Sequence, residues 1–131
     1  MREQNNTIKR TDKISIGYHL HEKAERVVVS NISVSAGKGE IVAVLGRNGC
    51  GKSTLLRTIA NLQAQLNGQV MIDGIPKENY KLQDFAKRVS FVSTETVRIH
   101  NMTVMELVAL GRSPYTGWLG LLQEDDTHIV E

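Results

Sequence analysis

Five consecutive apolar residues near the middle of the chain precede a glycine-rich loop and an amphipathic segment. The run Ile41-Val-Ala-Val-Leu45 is typical of a parallel strand that is buried on both faces. Beyond the loop, apolar residues recur at helical spacing, at Leu55, Ile59 and Leu62. The pattern predicts a buried strand over 41–45, a loop, and a helix over 52–62.

Alternating patterns on either side of this strand–loop–helix unit predict an additional antiparallel sheet. Residues 14–16 alternate apolar and polar side chains, and residues 27–34 are rich in β-branched ones. Downstream, residues 69–72 indicate another strand, between an Asn67-Gly68 turn and an Asp73-Gly74 hairpin turn. The sequence therefore predicts an α/β fold with an added antiparallel β subdomain.

The last third of the chain predicts short helices. Residues 82–89 carry an apolar stripe at helical spacing, and residues 89–92 have the composition of a strand. Thr103 and Glu106 match a capping box, and Gly111 is placed to end the helix that the box begins. Residues 124–131 predict the opening of a further helix.

The central loop, Gly46-Arg-Asn-Gly-Cys-Gly-Lys-Ser53, has the pattern G-x-x-x-x-G-K-S of a phosphate-binding P-loop. Its glycines permit positive φ, so backbone amides can point inward at an anion, and the following helix adds the amides of its N-terminus. Lys52 supplies a full charge for the β- and γ-phosphates, and the Ser53 hydroxyl is a ligand for Mg²⁺. We expect a nucleoside triphosphate here, rather than a turn that binds nothing.

Bulk composition narrows the function classes. The 131 residues carry a net charge of only +2, which argues against nucleic acid as the main partner. A single cysteine, Cys50, excludes an internal disulfide and favours a reducing compartment. No apolar run approaches the roughly 20 residues of a membrane-spanning helix, and the N-terminus lacks the apolar region of a signal peptide. We therefore expect no transmembrane segment in this chain.

Residues 46–57 resemble the P-loop segment of the ATP-binding-cassette (ABC) transporter ATPases, and their Asn-Gly-Cys-Gly form is similar to the members that energise uptake of ferric siderophores, haem or cobalamin. Segments 68–74, 103–112 and 113–118 are similar to the same family. The resemblance implies an ABC ATPase fold, that is, a partial P-loop NTPase core with an added antiparallel β subdomain, and ATP and Mg²⁺ as cofactors. It assigns ATP binding to Gly46, Arg47, Asn48, Gly49, Cys50, Gly51, Lys52, Ser53 and Thr54.

Two positions outside the P-loop also have counterparts in the family. An aromatic residue upstream of the loop stacks on adenine, and Tyr18 stands at the matching strand end, although an ordinary strand tyrosine is the alternative. A glutamine normally follows the strand after the hairpin helix. Thr94 occupies that place, with Glu95 next, so Ser53 is the expected Mg²⁺ ligand and Thr94 a weaker one with less reach.

The family's other motifs have no counterpart among these residues. Neither a Leu-Ser-Gly-Gly-Gln signature nor a long apolar strand ending in Asp-Glu is present. Asp73 ends a short apolar run, but Gly74 follows it and makes it a turn residue. The resemblance thus implies that residues 1–131 are the N-terminal portion of one ABC ATPase domain and contain no catalytic residue.

The function that the resemblance implies is that of the ATP-binding subunit of an iron-chelate importer. Such a subunit works with a second copy and a membrane permease, in the cytoplasm on the inner face of the membrane, and residues 94–119 are the candidate permease-facing surface. Three alternatives stay open. They are a nucleotide-binding-only module, a non-transport ABC protein acting on ribosomes or DNA, and a small P-loop kinase, whose arginine-rich lid is poorly matched by Arg88, Arg98 and Arg112.

Overall fold

The computed structural model describes residues 7–20, 24–94, 101–116 and 121–130. The chain divides into two compact units, residues 1–80 and residues 81–131. The first unit holds the sheet and the P-loop, and the second holds short helices. No helix in the described ranges is long and apolar enough to cross a membrane.

One long strand organises the sheet of the first unit. Strand β1 (Thr7–Leu20) pairs with β2 (Ala24–Ile32), β3 (Ser35–Gly37) and β4 (Asn67–Ile72). Strand β5 (Ile75–Pro76) extends the sheet beyond β4 and gives the order β2-β1-β4-β5, with β3 also on β1. All of these pairings are antiparallel, so the predicted antiparallel β subdomain is confirmed.

Helix α1 (Lys52–Ile59) packs against β1 in the same unit. Ile14 and Ile16 of β1, and Val70 and Ile72 of β4, are buried two residues apart, as expected where one face of a strand is covered. Full burial of an aliphatic side chain contributes roughly 1.5–3 kcal/mol. A small core therefore fixes α1, and with it the P-loop, to the sheet, and this core consists of Ile14, Ile16, Val70, Ile72 and Leu55.

Helix α1 ends at Ile59 rather than at the predicted Leu62, because Asn61 adopts the left-handed conformation with φ 59°. The Leu62 amide donates to the Arg57 carbonyl at 2.9 Å. The Asn61 amide donates to the Thr58 carbonyl at 3.2 Å. These two bonds form a Schellman motif, which closes the helix and turns the chain back toward β1.

The turns around β4 are partly as predicted. Asp73 and Gly74 join β4 to β5 with φ values of 49° and 77°, as a type I′ hairpin turn requires. Gly68 lies inside β4, whereas the sequence places it in a turn before the strand. A Cβ at Gly68 would lie 2.6 Å from the Lys13 carbonyl oxygen, so glycine is what allows β4 to approach β1 there.

The predicted buried strand at 41–45 is wrong for this chain, since no described strand pairs with it. Ile41 is 98% exposed and Leu45 is 89% exposed. A buried parallel strand depends on hydrogen-bonded neighbours at its edges and on cover over both faces. The apolar composition is present here, but the described residues provide no neighbouring strand for it.

Three helices lie in the described part of the second unit, namely α2 (Leu82–Ala86), α3 (Val104–Ala109) and α4 (Glu124–Val130). Helix α4 confirms the predicted helix opening. The predicted strand at 89–92 does not form, because none of the described strands pairs with these residues. Helix α3 ends at Ala109, before the predicted end at Gly111, and the chain passes through Gly111 in a 3-10 turn, Leu110–Arg112.

The predicted capping box at the start of α3 is confirmed. The Glu106 amide donates to Thr103 Oγ1 at 3.2 Å, and the Thr103 amide donates to Glu106 Oε2 at 2.7 Å. Two amides that would otherwise lack an intrahelical partner are satisfied in this way. The Thr103 backbone amide, followed by its hydroxyl, holds the pKa of Glu106 below its usual value.

An arginine–carboxylate pair joins the 3-10 turn after α3 to the first turn of α4. Arg112 Nε donates to Asp126 Oδ1 at 2.8 Å, and Asp126 Oδ2 accepts from the Gln123 amide at 3.1 Å. The Arg112 guanidinium also lies 4.2 Å from the centre of the Tyr115 ring, within the range of a cation–π contact. These contacts order the surface around Tyr115.

We predict that the capping box opens under acid. Because the folded pKa of Glu106 is depressed, the contribution of its carboxylate is present above the unfolded pKa, near 4.5, and is lost as the pH falls through the folded value. The Thr103 amide chemical shift should therefore titrate with a midpoint below 4.5. In Glu106→Gln this titration should vanish. A midpoint at or above 4.5 in the native chain would contradict the bond.

Candidate functional site

The P-loop runs from Gly46 to Ser53 and leads directly into the first turn of α1. Gly49, with φ 81°, and Gly51, with φ 98°, adopt the left-handed backbone that the loop was expected to need. Gly51 is also the N-cap of α1, and a Cβ there would lie 2.8 Å from Val28 Cγ1. Any larger residue at this position would therefore push the loop away from β2.

Two backbone carbonyls of the P-loop hold the Lys52 side chain in place. Its Nζ donates to the carbonyl oxygens of Gly46 and Arg47, both at 2.8 Å. An ammonium group has three N–H donors, so one remains for an anion after these two bonds. The positive charge of Lys52 is thus already fixed at the loop, so that binding of an anion would cost less side-chain entropy.

The N-terminus of α1 suits an anion with an accompanying cation. No acidic side chain lies in its first turn to compete with a ligand for the partial positive charge of the helix end. Ser53 is exposed there and offers one hydroxyl oxygen. Mg²⁺ usually takes few protein ligands and completes its shell with phosphate oxygens and water, so Ser53 fits a magnesium–phosphate complex.

A cavity of about 730 Å³ opens beside the P-loop within the first unit. It is lined by Tyr18 and by most of the predicted ATP-binding residues, namely Asn48, Gly49, Gly51, Lys52, Ser53 and Thr54. Gly46, Arg47 and Cys50 belong to the loop but are not among the lining residues. Gly46 and Cys50 pack closely within the loop, since a Cβ on Gly46 would lie only 2.7 Å from Cys50 Sγ, and ATP binding by these three residues stays a prediction.

Tyr18 is linked directly to the helix that follows the loop. Its hydroxyl lies 3.2 Å from Thr54 Oγ1, and Thr54 is the third residue of α1. The half-exposed Tyr18 side chain lines the same cavity as the P-loop. Tyr18 and the P-loop thus line one cavity, and stacking of the Tyr18 ring on adenine stays a prediction.

Sequence reasoning missed the contribution of β2 to this cavity. Arg26 pairs directly with Tyr18 across the β1–β2 ladder, and Val27 and Val28 line the cavity beside it. Among the described lining residues, Arg26 and Lys52 carry positive charge and none is acidic, which favours an anionic ligand. The apolar run at 27–34 signalled a strand, but the register that brings Arg26 opposite Tyr18 follows from two irregularities in the ladder.

The remaining predicted positions lie elsewhere or outside the described residues. Thr94 is exposed and belongs to the second unit, and its role as a magnesium ligand stays a prediction. Glu95 and Trp118 lie outside the described residues. Asp73 sits in the β4–β5 turn, as its assignment as a turn residue requires. Within the described ranges, no group of three or more His, Cys, Asp or Glu could hold a metal ion.

Comparison with known proteins matches this chain to ATP-binding proteins of ABC transporters. The ABC transporter family profile matches residues 29–130. The chain is 36% identical to the petrobactin import ATP-binding protein FpuC of Bacillus anthracis, over 90% of this chain and 43% of that protein. It is 33% identical to the ferric enterobactin transport ATP-binding protein FepC of Escherichia coli, over 92% of this chain and 43% of that protein. The chain thus spans about two fifths of the length of these relatives.

Solved structures support the fold. The ATP-binding cassette MJ0796, in a dimeric post-hydrolysis state bound to ADP and Pi, superposes with a TM-score of 0.73 over 93% of this chain and 53% of that chain. The sequence identity is 24%, so this likeness concerns the fold alone. It confirms the predicted fold class, a partial ABC ATPase cassette with an antiparallel β subdomain.

We predict that Lys52→Ala weakens MgATP binding to this chain by roughly 1.5–3 kcal/mol, since it removes a charge-assisted bond to the phosphates. This corresponds to about a 10- to 150-fold rise in Kd, which isothermal calorimetry would measure. Lys38→Ala is the matched control, because Lys38 is exposed in the turn after β3. Equal MgATP affinity of the native chain and Lys52→Ala would show that the phosphates do not bind here.

Proposed function

This chain belongs to the ABC transporter family, and we propose that it is the ATP-binding N-terminal part of a subunit that couples ATP hydrolysis to import of an iron chelate. The observation that carries the ATP-binding part of this proposal is the single cavity that joins the P-loop to Tyr18. A nucleotide has a planar base at one end and charged phosphates at the other. Tyr18 contributes an aromatic ring to the lining of this cavity, and the P-loop contributes an anion-binding surface.

In this proposal, different residues of the chain bind the base and the phosphates of the nucleotide. The base stacks on Tyr18, which Thr54 holds by its hydroxyl. The phosphates lie against the amides of the loop and the remaining donor of Lys52. Ser53 contributes a hydroxyl to Mg²⁺, which neutralises phosphate charge when bound. Together with Arg26, these groups give the cavity a positive potential.

Hydrolysis also requires groups that are not found among the described lining residues of the cavity. No carboxylate is present among the described lining residues to orient an attacking water. The chain also spans only about two fifths of the length of its relatives. We therefore assign to these residues the binding of ATP, and we assign turnover to the whole subunit acting with a second copy of itself.

The exposed surface of the second unit supports the proposal of a permease partner. Helix α3 exposes apolar side chains at Val104, Leu107 and Val108, and Tyr115 is half-exposed beside it. An apolar, aromatic surface of this kind fits a protein partner better than water. We assign it to contact with the permease, which would place the subunit in the cytoplasm at the inner face of the membrane.

Iron chelates are proposed as the transported substrates on the strength of the relatives. Two proteins that match over at least 90% of this chain are named for petrobactin and ferric enterobactin. The iron(3+)-hydroxamate import ATP-binding protein FhuC of Bacillus subtilis matches over 92% of this chain at 32% identity. Two of these names state iron explicitly, as ferric enterobactin and iron(3+)-hydroxamate, and we therefore propose an iron chelate as the cargo class.

We predict that MgATP protects Cys50 from maleimide. Cys50 is exposed and lies between Gly49 and Gly51, which both line the cavity. Bound phosphates would cover this part of the loop, and the labelling rate should fall at least about fivefold at saturating nucleotide. Since Cys50 is the only cysteine, the native chain reports on this site alone and Cys50→Ser gives the background.

Lys52→Ala is the matched control for this labelling experiment, because it keeps the thiol and weakens the phosphate site. MgATP should protect Cys50 in that variant only at much higher concentration. If nucleotide binding is established by calorimetry while the labelling rate of Cys50 stays unchanged, ATP does not bind at the P-loop in the proposed way.

We also predict that the 131-residue chain alone turns over MgATP far below about 1 per second, near the low end for enzymes. A chimera in which this chain replaces the matching segment of FhuC should restore ferric hydroxamate uptake to a strain lacking FhuC. The same chimera with Lys52→Ala should not. Turnover near 1 per second by the isolated chain, or equal uptake by both chimeras, would contradict this division of roles.

A further inference from the structure

Lys77 is a buried cation in the first unit that the proposed function does not use. It begins the 3-10 turn Lys77–Asn79 after β5 and is only 2% exposed. Burial lowers the pKa of its ammonium, and the adjacent Glu78 carboxylate opposes this with a smaller effect. An apolar side chain would fill the same space without desolvating a charge. The space alone therefore does not explain a lysine at this position, and the hydrogen bonds of its side-chain nitrogen do.

These contacts lie at the end of the P-loop helix. Lys77 Nζ donates to the Thr58 carbonyl at 2.7 Å and, more weakly, to the Gln63 carbonyl at 3.5 Å. Thr58 is in the last turn of α1, and Gln63 is in the segment that returns the chain to β1. A cation at this end donates to carbonyls of the last helical turn and lies favourably at the negative end of the helix dipole.

The side chains of Thr58 and Gln63 make further hydrogen bonds that connect these residues to Tyr18 and to its neighbour Gly17. Thr58 is fully buried, and its Oγ1 donates to the Thr54 carbonyl at 2.8 Å; Thr54 Oγ1 in turn meets the Tyr18 hydroxyl. By the second route, Gln63 Nε2 donates to the carbonyl of Gly17, the residue before Tyr18. Lys77 thus closes a ring of contacts around the tyrosine at the base end of the cavity.

We propose that Lys77 is a positioning residue for nucleotide binding, which holds Thr58 and Gln63 so that Tyr18 keeps its ring turned toward the base. This inference rests on the proposed binding of ATP. The P-loop lysine is outside the ring, because Lys52 Nζ is held by Gly46 and Arg47. Lys77 therefore acts on the base end of the cavity and leaves the phosphate end intact.

The test compares two ligands that differ only in the adenosine part, MgATP and the magnesium complex of inorganic triphosphate. Each is titrated into the 131-residue chain by calorimetry. Lys77→Met keeps the long aliphatic stem and removes the charge. It should weaken MgATP binding by about tenfold and triphosphate binding by less than about twofold. Lys38→Met, at an exposed lysine, is the matched control and should change neither Kd.

Tyr18→Phe and Thr58→Val test the ring of contacts from its other members. Each removes one hydroxyl and nearly preserves the shape of the side chain. Both should lower the ratio of MgATP to triphosphate affinity. In the Tyr18→Phe background, Lys77→Met should lower it by less than in the native chain, since the route through the tyrosine hydroxyl is already broken and only the route through Gln63 remains. If Lys77→Met does not fold, as judged by circular dichroism, these two variants decide the question.

Three results would overturn the inference. Lys77→Met could weaken MgATP and triphosphate equally, which would indicate a general loss of stability. Tyr18→Phe and Thr58→Val could leave the affinity ratio unchanged, which would show that the hydroxyl contacts do not orient the ring. If the native chain binds triphosphate but shows no preference for MgATP, Tyr18 does not hold a base and Lys77 has nothing to position. Failure of the native chain to bind either ligand would instead refute the proposed function itself.

Discussion

The close approach of the P-loop to the β1–β2 ladder is the constraint on which the rest of this structure depends. At Gly51 the loop passes so near the sheet that an added Cβ would lie 2.8 Å from Val28 and 3.2 Å from Val29. This contact sets where α1 begins, and the first turn of α1 then lies within hydrogen-bonding reach of Tyr18. Without it, the phosphate loop and the aromatic ring would be separate features with no shared cavity.

The forces at the two ends of the cavity differ in kind, and this has a consequence for binding. At the phosphate end, Lys52 and the helix terminus act through charge, and each is held by backbone within a few residues along the chain. At the base end, the tyrosine ring offers a face whose position depends on residues distant in sequence, including Thr54 and Lys77. Phosphate affinity should therefore be robust to distant substitutions, whereas preference for a nucleotide over a bare polyphosphate should be sensitive to them.

Features encoded locally were predictable from the sequence. The P-loop, the Asp73-Gly74 hairpin turn and the Thr103–Glu106 capping box each depend on a few adjacent residues, and all three lie where expected. Features that depend on partners were not. Residues 41–45 have the composition of a buried strand but no paired neighbour in the described chain. Arg26 reaches the cavity only through a bulged strand register, and Lys77 follows a hairpin with no local sign of its burial.

The central claim is that a nucleotide lies across this cavity with its base on Tyr18. The most direct measurement is the nuclear Overhauser effect between adenine protons and tyrosine ring protons in the chain with bound MgATP. The chain has three tyrosines, and Tyr18→Leu identifies the signal by its loss. The account predicts cross-peaks from adenine H2 and H8 to the ring of Tyr18, absent in Tyr18→Leu. Bound MgATP whose adenine protons contact only Tyr80 or Tyr115, or no tyrosine, would contradict it.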